Sequence, residues 1–512
     1  MSAFLKQKPT AIVLLLAAAL AIGVLTVSDY GDSWDEATLY RYSQYTLEAY
    51  RFLLRPADLR TSNDTLPQNG PGYVTAVSLL APRPLRLAPT WSLSTARHFV
   101  YFATFLGGAL AFYLLCRRWL SESASVGATL LLVSQPLLWG HAFINPKDLA
   151  FLAFFTATIH AGLEMVEESP GSRRFGAIVV LVGVLLGITS SLRVTGPVAG
   201  LMVLAYGAYR NHWKIVGPAA ACILMATAIT YLSWPYLWGA PIRHYLQSSI
   251  AMTDFPGGGR VLFDGALYAA NELPRLYFPT LIGIQLTEPA LVLGVLGIAL
   301  AGKQFARDRM RGPLPLILVW FVFPMLIVVG LDSPLYDNGR QLYFILPPLF
   351  LGAGLTLDRV LARLQPLAFK VAMAVIISLP GMVAATGLHP YEYVYYNSLV
   401  GWTPGAYGRF EMDYWGTSSK EMMEYINSIA RGPTTVLAYD AQQLMKPYAR
   451  HIVDVYNGRH DEPTRYDYIA ILIRAGWNET SCSSAPVIHT IGRMGATFAV
   501  LRSATDGAGC EQ

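Results

Sequence analysis

Charged residues are scarce in this 512-residue sequence, where Asp, Glu, Lys and Arg make up only 14% of positions. A soluble globular chain carries roughly a quarter of such residues. Hydrophobic residues make up 54% of the sequence, and its mean hydropathy is +0.39. An ordinary soluble domain is therefore excluded, and the composition indicates an integral membrane protein.

Several motifs that carry well-known chemistry are absent from the sequence. It contains no GxxxxGK[ST] phosphate loop, no HExxH, no GxSxG and no paired CxxC. Nucleotide hydrolysis, zinc proteolysis and serine hydrolysis therefore have no support. The net charge is +5, but the basic residues form short clusters between apolar runs and no continuous patch, which argues against a nucleic-acid partner.

Cysteine is also rare, with four residues in the whole chain. Cys116 and Cys222 lie in apolar runs, whereas Cys482 and Cys510 lie in a polar C-terminal region. If that region is exported, a disulfide between Cys482 and Cys510 is one interpretation, and two unpaired thiols are the other.

Long apolar runs are abundant. About eleven of them approach the 17 to 25 residues that cross a bilayer. They centre on 10–27, 97–116, 123–141, 149–165, 175–191, 195–209, 214–233, 284–301, 314–331, 341–357 and 369–387. The first run is interpreted as a retained helix, since no small-x-small signal-peptidase site lies at its end.

The positions of Lys and Arg predict the orientation of these runs. Basic clusters occur at every second connection: "KQK" (6–8), "CRRW" (116–119), "SRRF" (172–175), "YRNHWK" (209–214), "KQFARDRMR" (303–311) and "DRVLARLQPLAFK" (358–370). Short cytoplasmic loops carry such an excess of positive charge. We therefore expect a multi-pass protein of the cell (inner) membrane, with a cytoplasmic N-terminus and the C-terminus on the periplasmic or extracellular side.

The expected outer side includes two long loops, 28–96 and 234–283. In the first, 35–54 and 73–87 predict helices that lie along the membrane surface, and the second begins with a further surface helix. After residue 388 hydropathy falls, and one helix and three strands are predicted from "SSKEMMEYINSIA", "TTVLAYD", "RYDYIAILI" and "GATFAVLR".

The predicted fold is an all-α polytopic membrane protein with amphipathic helices in its first outer loop and a small exported α/β domain at its C-terminus. The boundary is placed between a transmembrane domain, 1–388, and the α/β domain, 389–512. Because charge at membrane depth is costly, we treat polar residues at the outer ends of the helices as candidates for a functional site.

The first candidates are Asp35 and Glu36, which open the first surface helix. Acids favour the first turn of any helix, so marking the helix start is one explanation for them. The stretch "GHAFINPKDLAF" (140–151) supplies His141, Asn145, Lys147 and Asp148. Lys147 is not required by a helix start, because a cation there opposes the helix dipole.

Further candidates lie at other outer helix ends. Arg193 occupies a very short turn, where it either snorkels to the interface or holds a phosphate. "DSPLYDNGRQLYF" (332–344) supplies Tyr336, Asp337 and Arg340, and the aromatic stretch that starts "HPYEYVYYN" (389–397) supplies His389 and Tyr391. Aromatic rings belt the membrane interface and also stack on sugars, so both interpretations stay open for that stretch.

These features together resemble the GT-C membrane glycosyltransferases. "NPKD" (145–148), "YDNGRQLYFILPP" (336–348) and "GAYGRFEMDYWG" (405–416) are similar to motifs of the polyprenyl-phosphate-sugar-dependent branch. That branch includes protein O-mannosyltransferases and lipid A aminoarabinose transferases. The resemblance covers most of residues 1–416.

The resemblance implies an inverting glycosyltransferase that moves a sugar from a polyprenyl-phosphate donor to a glycan, lipid or protein acceptor on the outer side of the membrane. Asp35 corresponds to the catalytic base, with Glu36 and Asp148 beside it. Phosphate contacts are expected from Lys147, Arg193 and Arg340. Substrate contacts are expected from His141, Asn145, Tyr336, Asp337, His389 and Tyr391.

No cofactor or metal ligand is firmly predicted, although a divalent ion such as Mg²⁺, Mn²⁺ or Ca²⁺ held by Asp35 or Asp148 is compatible with clustered carboxylates. One alternative is an oligosaccharyltransferase-like enzyme with a lipid-diphosphate donor, since "MDYWG" (412–416) weakly resembles the WWDYG motif of that group. Another is a transporter or flippase, which would place polar or broken helices near the bilayer midplane.

Overall fold

The computed structural model describes residues 10–52, 69–253, 260–308, 312–331, 334–439, 441–457, 465–474 and 482–504. Within these ranges the chain is mostly helical, as the apolar runs predict. Cys116 and Cys222 are free and buried. Cys482 is disulfide-bonded, and its expected partner, Cys510, lies outside the described residues.

Six helices in the described ranges are long and apolar enough to cross a membrane, or up to eight spans if each of two bent helix pairs counts as one. The six are Leu93–Cys116, Asp148–Glu167, Arg173–Leu192, Pro197–Ser233, Glu288–Ala306 and Leu367–Leu388. The expected number of eleven is not confirmed. Two of the expected runs form helices of only 17 residues, Thr10–Thr26 and Leu314–Gly330.

The segment Pro197–Ser233 also lowers the number of spans below eleven, because it counts as one helix where two spans were expected. An unbroken helix of its 37 residues would be about 56 Å long, almost twice the hydrocarbon thickness of a bilayer. The backbone interrupts it at His212, which has a positive φ of 48°. Two helices result, Pro197–Asn211 and Val216–Ser233.

Two further runs, expected at 123–141 and 341–357, bend at prolines. Glu122–Val133 meets Pro136–Ile144 at 63°, and Asp337–Ile345 meets Pro347–Leu361 at 61°. Proline lacks an N–H and disfavours helical geometry in the residue before it. One helix of each bent pair carries a candidate residue: His141 lies in Pro136–Ile144, and Arg340 lies in Asp337–Ile345.

Helices also form in the two long loops, 28–96 and 234–283, for which surface helices were predicted. The first loop contains Trp34–Phe52 and Gly72–Leu80, and the second contains Pro241–Thr253. A hairpin of β1 (Arg260–Phe263) and β2 (Ala266–Ala269) follows in the second loop. Shorter or later helical segments are Pro82–Leu85, His212–Ile215, Pro235–Trp238, Tyr277–Gln285, Glu392–Val394, Ser398–Val400 and Trp402–Ala406.

A five-stranded sheet forms near the C-terminus, in the order β4-β3-β5-β7-β6. Its strands are β3 (Thr434–Tyr439), β4 (Val453–Asn457), β5 (Tyr468–Leu472), β6 (Val487–Arg493) and β7 (Ala496–Ser503). β3 pairs in parallel with β4 and β5, whereas β7 pairs antiparallel with β5 and β6. The predicted strands correspond to β3, β5 and β7; β4 and β6 were not predicted.

One buried core joins the sheet to the helices. The predicted helix forms at Ser418–Ile429 and buries Met422, Met423 and Ile426. These side chains belong to the same continuous cluster as Phe143 and Phe155 of the apolar helices. Two short segments, Gln442–Met445 and Lys446–Tyr448, complete the sheet region. The sheet region, residues 418–504, therefore packs against the apolar helices in one core.

Candidate active site

Arg340 lies at the centre of the candidate site, and its side chain is only 5% exposed. Each of its three guanidinium nitrogens faces a different carboxylate. Nε donates to Asp337 Oδ2 at 3.0 Å, Nη1 to Asp148 Oδ2 at 3.0 Å and Nη2 to Asp35 Oδ2 at 3.2 Å. The guanidinium fork therefore fixes three acids from three separate parts of the chain.

Two more cations complete this group, which we call the arginine cluster: Asp35, Asp148, Asp337, Lys147, Arg193 and Arg340. Arg193 donates to Asp148 Oδ1, and Lys147 Nζ lies 3.6 Å from Asp35 Oδ2. The prediction that acids and cations at different helix ends form one site is consistent with this geometry. Three positive and three negative side chains balance within it.

A left-handed turn presents Arg340 to the cluster. Asp337, Asn338 and Gly339 have φ values of 49°, 56° and 67°. Asn and Asp tolerate this conformation better than other residues that carry a Cβ, and Gly does so freely. At Gly339 a Cβ would approach Phe278 to 2.5 Å, so the position also lacks room for a side chain.

Asn145 shapes the opposite side of the site. Its Oδ1 accepts from the backbone N of Asp148 at 2.8 Å and of Lys147 at 3.1 Å, and its Nδ2 donates to Asp148 Oδ2 at 2.9 Å. Asp148 is thereby held with its side chain 1% exposed. His141 lies behind Asn145, with its Nε2 2.9 Å from the Tyr414 hydroxyl. His141 and Asn145 support the cluster from within the protein.

Asp35 is the most accessible acid of the cluster, with its side chain 27% exposed. Burial opposes ionisation, but the charges of Arg340, Lys147 and Arg193 outweigh it and lower the pKa of Asp35 below its ordinary value. Asp35 is therefore a carboxylate at neutral pH, positioned beside three cations.

An apolar groove of about 780 Å³ opens beside the cluster. Helices Pro197–Asn211 and Leu314–Gly330 supply much of its lining, and Lys147, Arg193 and Tyr336 are among its polar lining residues. Burial, together with the charges of Arg340 and Arg193, lowers the pKa of Lys147 to about 8, although Asp35 opposes the shift. Burial lowers the pKa of Arg193 to about 10. Both side chains are cations at neutral pH at the edge of a hydrocarbon-like surface.

Glu36 does not join the arginine cluster. It lies instead in a second group, the histidine cluster, with Asp32 and His98. His98 Nε2 is 3.1 Å from Glu36 Oε1 and 3.9 Å from Asp32 Oδ1. Burial raises the pKa of Glu36, although His98 opposes that shift. In the described part of the chain, this is the group of His, Cys, Asp and Glu side chains whose spacing suits a metal ion.

His389 and Tyr391 also lie outside the arginine cluster. His389 is hydrogen-bonded to Glu392 at 2.8 Å and to Asp29 at 3.0 Å. The Tyr391 hydroxyl donates to Glu421 Oε2 at 2.7 Å. His389 therefore contacts the loop after the first helix, and Tyr391 contacts the helix Ser418–Ile429 of the sheet region.

Two residues that contact the site were missed from the sequence. Arg474, which follows β5, donates to Asp337 Oδ1 at 2.7 Å and to Glu411 Oε1 at 2.9 Å. The Trp415 ring lies 4.3 Å from Arg340 Cζ. Burial raises the pKa of Glu411 to about 7, with Arg474 opposing the shift. The aromatic stretch "FEMDYWG" (410–416) was the only sequence feature that could have indicated Trp415. No motif near Arg474 indicates that it contacts the site.

No protein-family model matches this chain, and no curated protein matches it. Solved structures do match. ArnT from Cupriavidus metallidurans bound to undecaprenyl phosphate is similar at a TM-score of 0.53 and 15% identity, over 98% of this chain and 99% of ArnT. AglB from Archaeoglobus fulgidus, in complex with an inhibitory peptide and a dolichol-phosphate, is similar at 0.52 and 13%, over 90% of this chain and 69% of AglB.

Both neighbours are GT-C superfamily proteins: ArnT is a lipid A aminoarabinose transferase, and AglB is an oligosaccharyltransferase. At these identities the likeness concerns the fold. The predicted resemblance is confirmed at that level, and the chain has the fold that these GT-C membrane glycosyltransferases share.

Proposed function

We propose that this protein is an inverting glycosyltransferase, which moves a sugar from a polyprenyl-phosphate donor to an acceptor hydroxyl on the outer side of the membrane. One observation carries the proposal: an apolar groove ends at Lys147 and Arg193, and Lys147 contacts the partly exposed carboxylate Asp35. The groove suits the lipid tail of the donor, the two cations suit its phosphate, and Asp35 lies where the sugar would meet the acceptor.

In this proposal Asp35 is the catalytic base. Its carboxylate takes the proton of the acceptor hydroxyl, the acceptor oxygen bonds to the anomeric carbon, and the bond from that carbon to the phosphate oxygen breaks. Attack from the side opposite the leaving group inverts the anomeric centre. The lowered pKa of Asp35 keeps the base ionised at neutral pH.

Lys147 and Arg193 are proposed to bind the donor phosphate, and Arg340 supports them from behind. Charge-assisted contacts from these groups stabilise the departing phosphate. Asp148 is fully engaged by Arg193, Arg340 and Asn145. Its proposed part in catalysis is therefore to position the cations. Tyr336 lines the groove and is proposed to contact the donor.

Other assignments from the sequence stay predictions. His141, Asn145 and Asp337 are proposed to hold the substrate-facing groups in place, and direct substrate contact by His389 and Tyr391 is untested. A divalent ion, if used, would fit the histidine cluster better than Asp148, because cations already occupy both oxygens of Asp148. One imidazole and two carboxylates suit Mn²⁺ better than Mg²⁺ or Ca²⁺.

The fold neighbours support a lipid-linked donor. The ArnT structure contains undecaprenyl phosphate, and the AglB structure contains a dolichol-phosphate and an inhibitory peptide. A glycan, a lipid and a protein all remain candidate acceptors. An exported C-terminus is supported by the disulfide at Cys482, since such bonds persist in oxidising compartments.

An oligosaccharyltransferase-like reaction with a lipid-diphosphate donor is the second candidate, because AglB shares the fold. The balanced charge of the arginine cluster favours the monophosphate. A flippase would not need a carboxylate among three cations at the end of its groove.

The test offers the purified full-length protein sugars linked to polyprenyl monophosphate and to polyprenyl diphosphate, together with a membrane extract as the source of acceptors. We expect sugar transfer and release of polyprenyl phosphate from the monophosphate donor. Transfer from the diphosphate donor alone would favour the second candidate, and movement of intact donor across vesicles without sugar transfer would favour a flippase.

A further inference from the structure

Asp337 joins two guanidinium groups that come from different regions of the chain. Its Oδ2 accepts from Arg340 Nε at 3.0 Å, and its Oδ1 accepts from Arg474 Nη2 at 2.7 Å. Arg340 lies in Asp337–Ile345, the first helix of one bent pair, whereas Arg474 lies two residues after the end of β5 in the C-terminal sheet. One carboxylate therefore connects the sheet region to the arginine cluster.

The backbone and the side chain of Arg474 also form hydrogen bonds with the segment 411–412. Its backbone oxygen accepts from the N–H of Met412 at 3.0 Å. Its side-chain Nε donates to Glu411 Oε1 at 2.9 Å, and Glu411 is fully buried. The segment 411–412 thus fixes both the backbone and the side chain of Arg474.

The same segment holds the left-handed turn that carries Asp337. Asn338 Nδ2 donates to the Tyr396 hydroxyl at 3.1 Å, and that hydroxyl donates to the backbone oxygen of Glu411 at 2.9 Å. A left-handed turn at residues with a Cβ persists only where its surroundings hold it. These two hydrogen bonds connect the turn to the part of the chain after residue 388.

From these contacts we propose that Arg474 is a positioning residue for glycosyl transfer: it neutralises Asp337 and thereby leaves the guanidinium of Arg340 free to face Asp35. Without Arg474, Arg340 alone would neutralise Asp337 and would be drawn toward it, away from Asp35 Oδ2. The sheet region then has a role in catalysis beyond packing. This inference rests on the proposed function.

The test compares the full-length wild type with Arg474→Gln, Arg474→Lys, Asp337→Asn and the double variant Arg474→Gln/Asp337→Asn. The assay uses the polyprenyl-phosphate sugar that the wild type accepts. We expect Arg474→Gln to lower kcat at least tenfold, with the KM for the donor within twofold of wild type. Lysine reaches only one of the two carboxylates, so Arg474→Lys should give an intermediate kcat. The double variant should be no slower than Asp337→Asn.

Arg409→Gln is the matched control. Arg409 also lies after residue 388 and also contacts an acid of another region, Asp264, but that ion pair is exposed. The kcat of Arg409→Gln should stay within twofold of wild type. The inference is overturned if Arg474→Gln behaves like Arg409→Gln, if it raises only the KM, or if the two single effects multiply in the double variant.

If Arg474→Gln does not fold, Arg474→Lys decides, and a wild-type kcat in that variant overturns the inference. If the wild type itself transfers no sugar, the proposed function fails. The coupling between Arg474 and Asp337 is then tested by the Tm values of the same four proteins, where additive losses would overturn it.

Discussion

Asp35 and Glu36 are adjacent acids of one helix, yet the fold gives them opposite surroundings. Asp35 faces Arg340 and Lys147 and has a lowered pKa. Glu36 is buried beside His98 and has a raised pKa. Adjacent side chains on a helix point about 100° apart, so they face different neighbours. An acidic pair in a sequence is therefore not one functional unit, and only one member is expected to carry the chemistry.

The largest expected difference between the two acids is in turnover. Asp35→Asn should lower kcat by about 10²- to 10⁴-fold, because the variant lacks a base for the acceptor proton. Glu36→Gln should lower it by less than about tenfold, since that side chain faces His98 in the histidine cluster and does not contact the arginine cluster. Steady-state transfer from the polyprenyl-phosphate donor measures both. A similar loss in the two variants would remove the distinction between the acids.

The next effect concerns the cation that holds Asp35. Arg340→Gln leaves Asp148 and Asp337 without this partner, and removal of one partner from a buried ion pair costs about 3–5 kcal/mol of stability. We expect a lower Tm together with a kcat reduced by about 10²-fold. Arg340→Lys is the control, because it keeps the charge but loses the fork. An unchanged Tm in Arg340→Gln would contradict the central position of this residue.

A smaller effect is expected in the pH dependence of donor binding by the arginine cluster. Lys147 has a pKa of about 8, so it is charged below that pH and loses its charge above it. The KM for the donor should therefore rise about tenfold as the pH rises through 8, since a charge-assisted phosphate contact is lost. Lys147→Arg keeps its charge and should move this rise to higher pH. The same rise in both proteins would show that Lys147 does not bind the phosphate.

The smallest effect on activity is expected in the histidine cluster. His98→Ala leaves Glu36 buried without its partner and should lower the Tm, whereas kcat should stay within about threefold. Glu36→Gln/His98→Ala should recover part of the lost stability, because the unpaired charge is gone. Addition of Mn²⁺ should raise the Tm of the wild type and not of either variant, if the cluster binds an ion. A large loss of kcat in His98→Ala would place this cluster in the chemistry.

Much of the arginine cluster could be predicted from the sequence. Lys147, Arg193 and Arg340 stand out because charge at the end of an apolar run requires a partner, and acids lie at the other helix ends. The helix of the first loop and the strands β3, β5 and β7 followed from their hydrophobic patterns. These features are local, so a single stretch of sequence contains the information.

The remainder depends on contacts between distant residues. The direction of Glu36 depends on His98, which lies 62 residues away along the chain. Arg474 reaches Asp337 across 137 residues, and no pattern near Arg474 indicates that contact. The runs at 123–141 and 341–357 are predominantly apolar, and their composition alone does not show that Pro136 and Pro347 bend them. Only the folded chain shows these relations.

The central claim is that Asp35 activates the acceptor for attack on a lipid-monophosphate sugar, and a single-turnover measurement tests it most directly. Wild type, Asp35→Asn and Glu36→Gln are each loaded with one equivalent of the donor and mixed with acceptor, and released polyprenyl phosphate is quantified over time. The account predicts stoichiometric release by the wild type and by Glu36→Gln, and retained donor with almost no release in Asp35→Asn. Release by Asp35→Asn at the wild-type rate would contradict it.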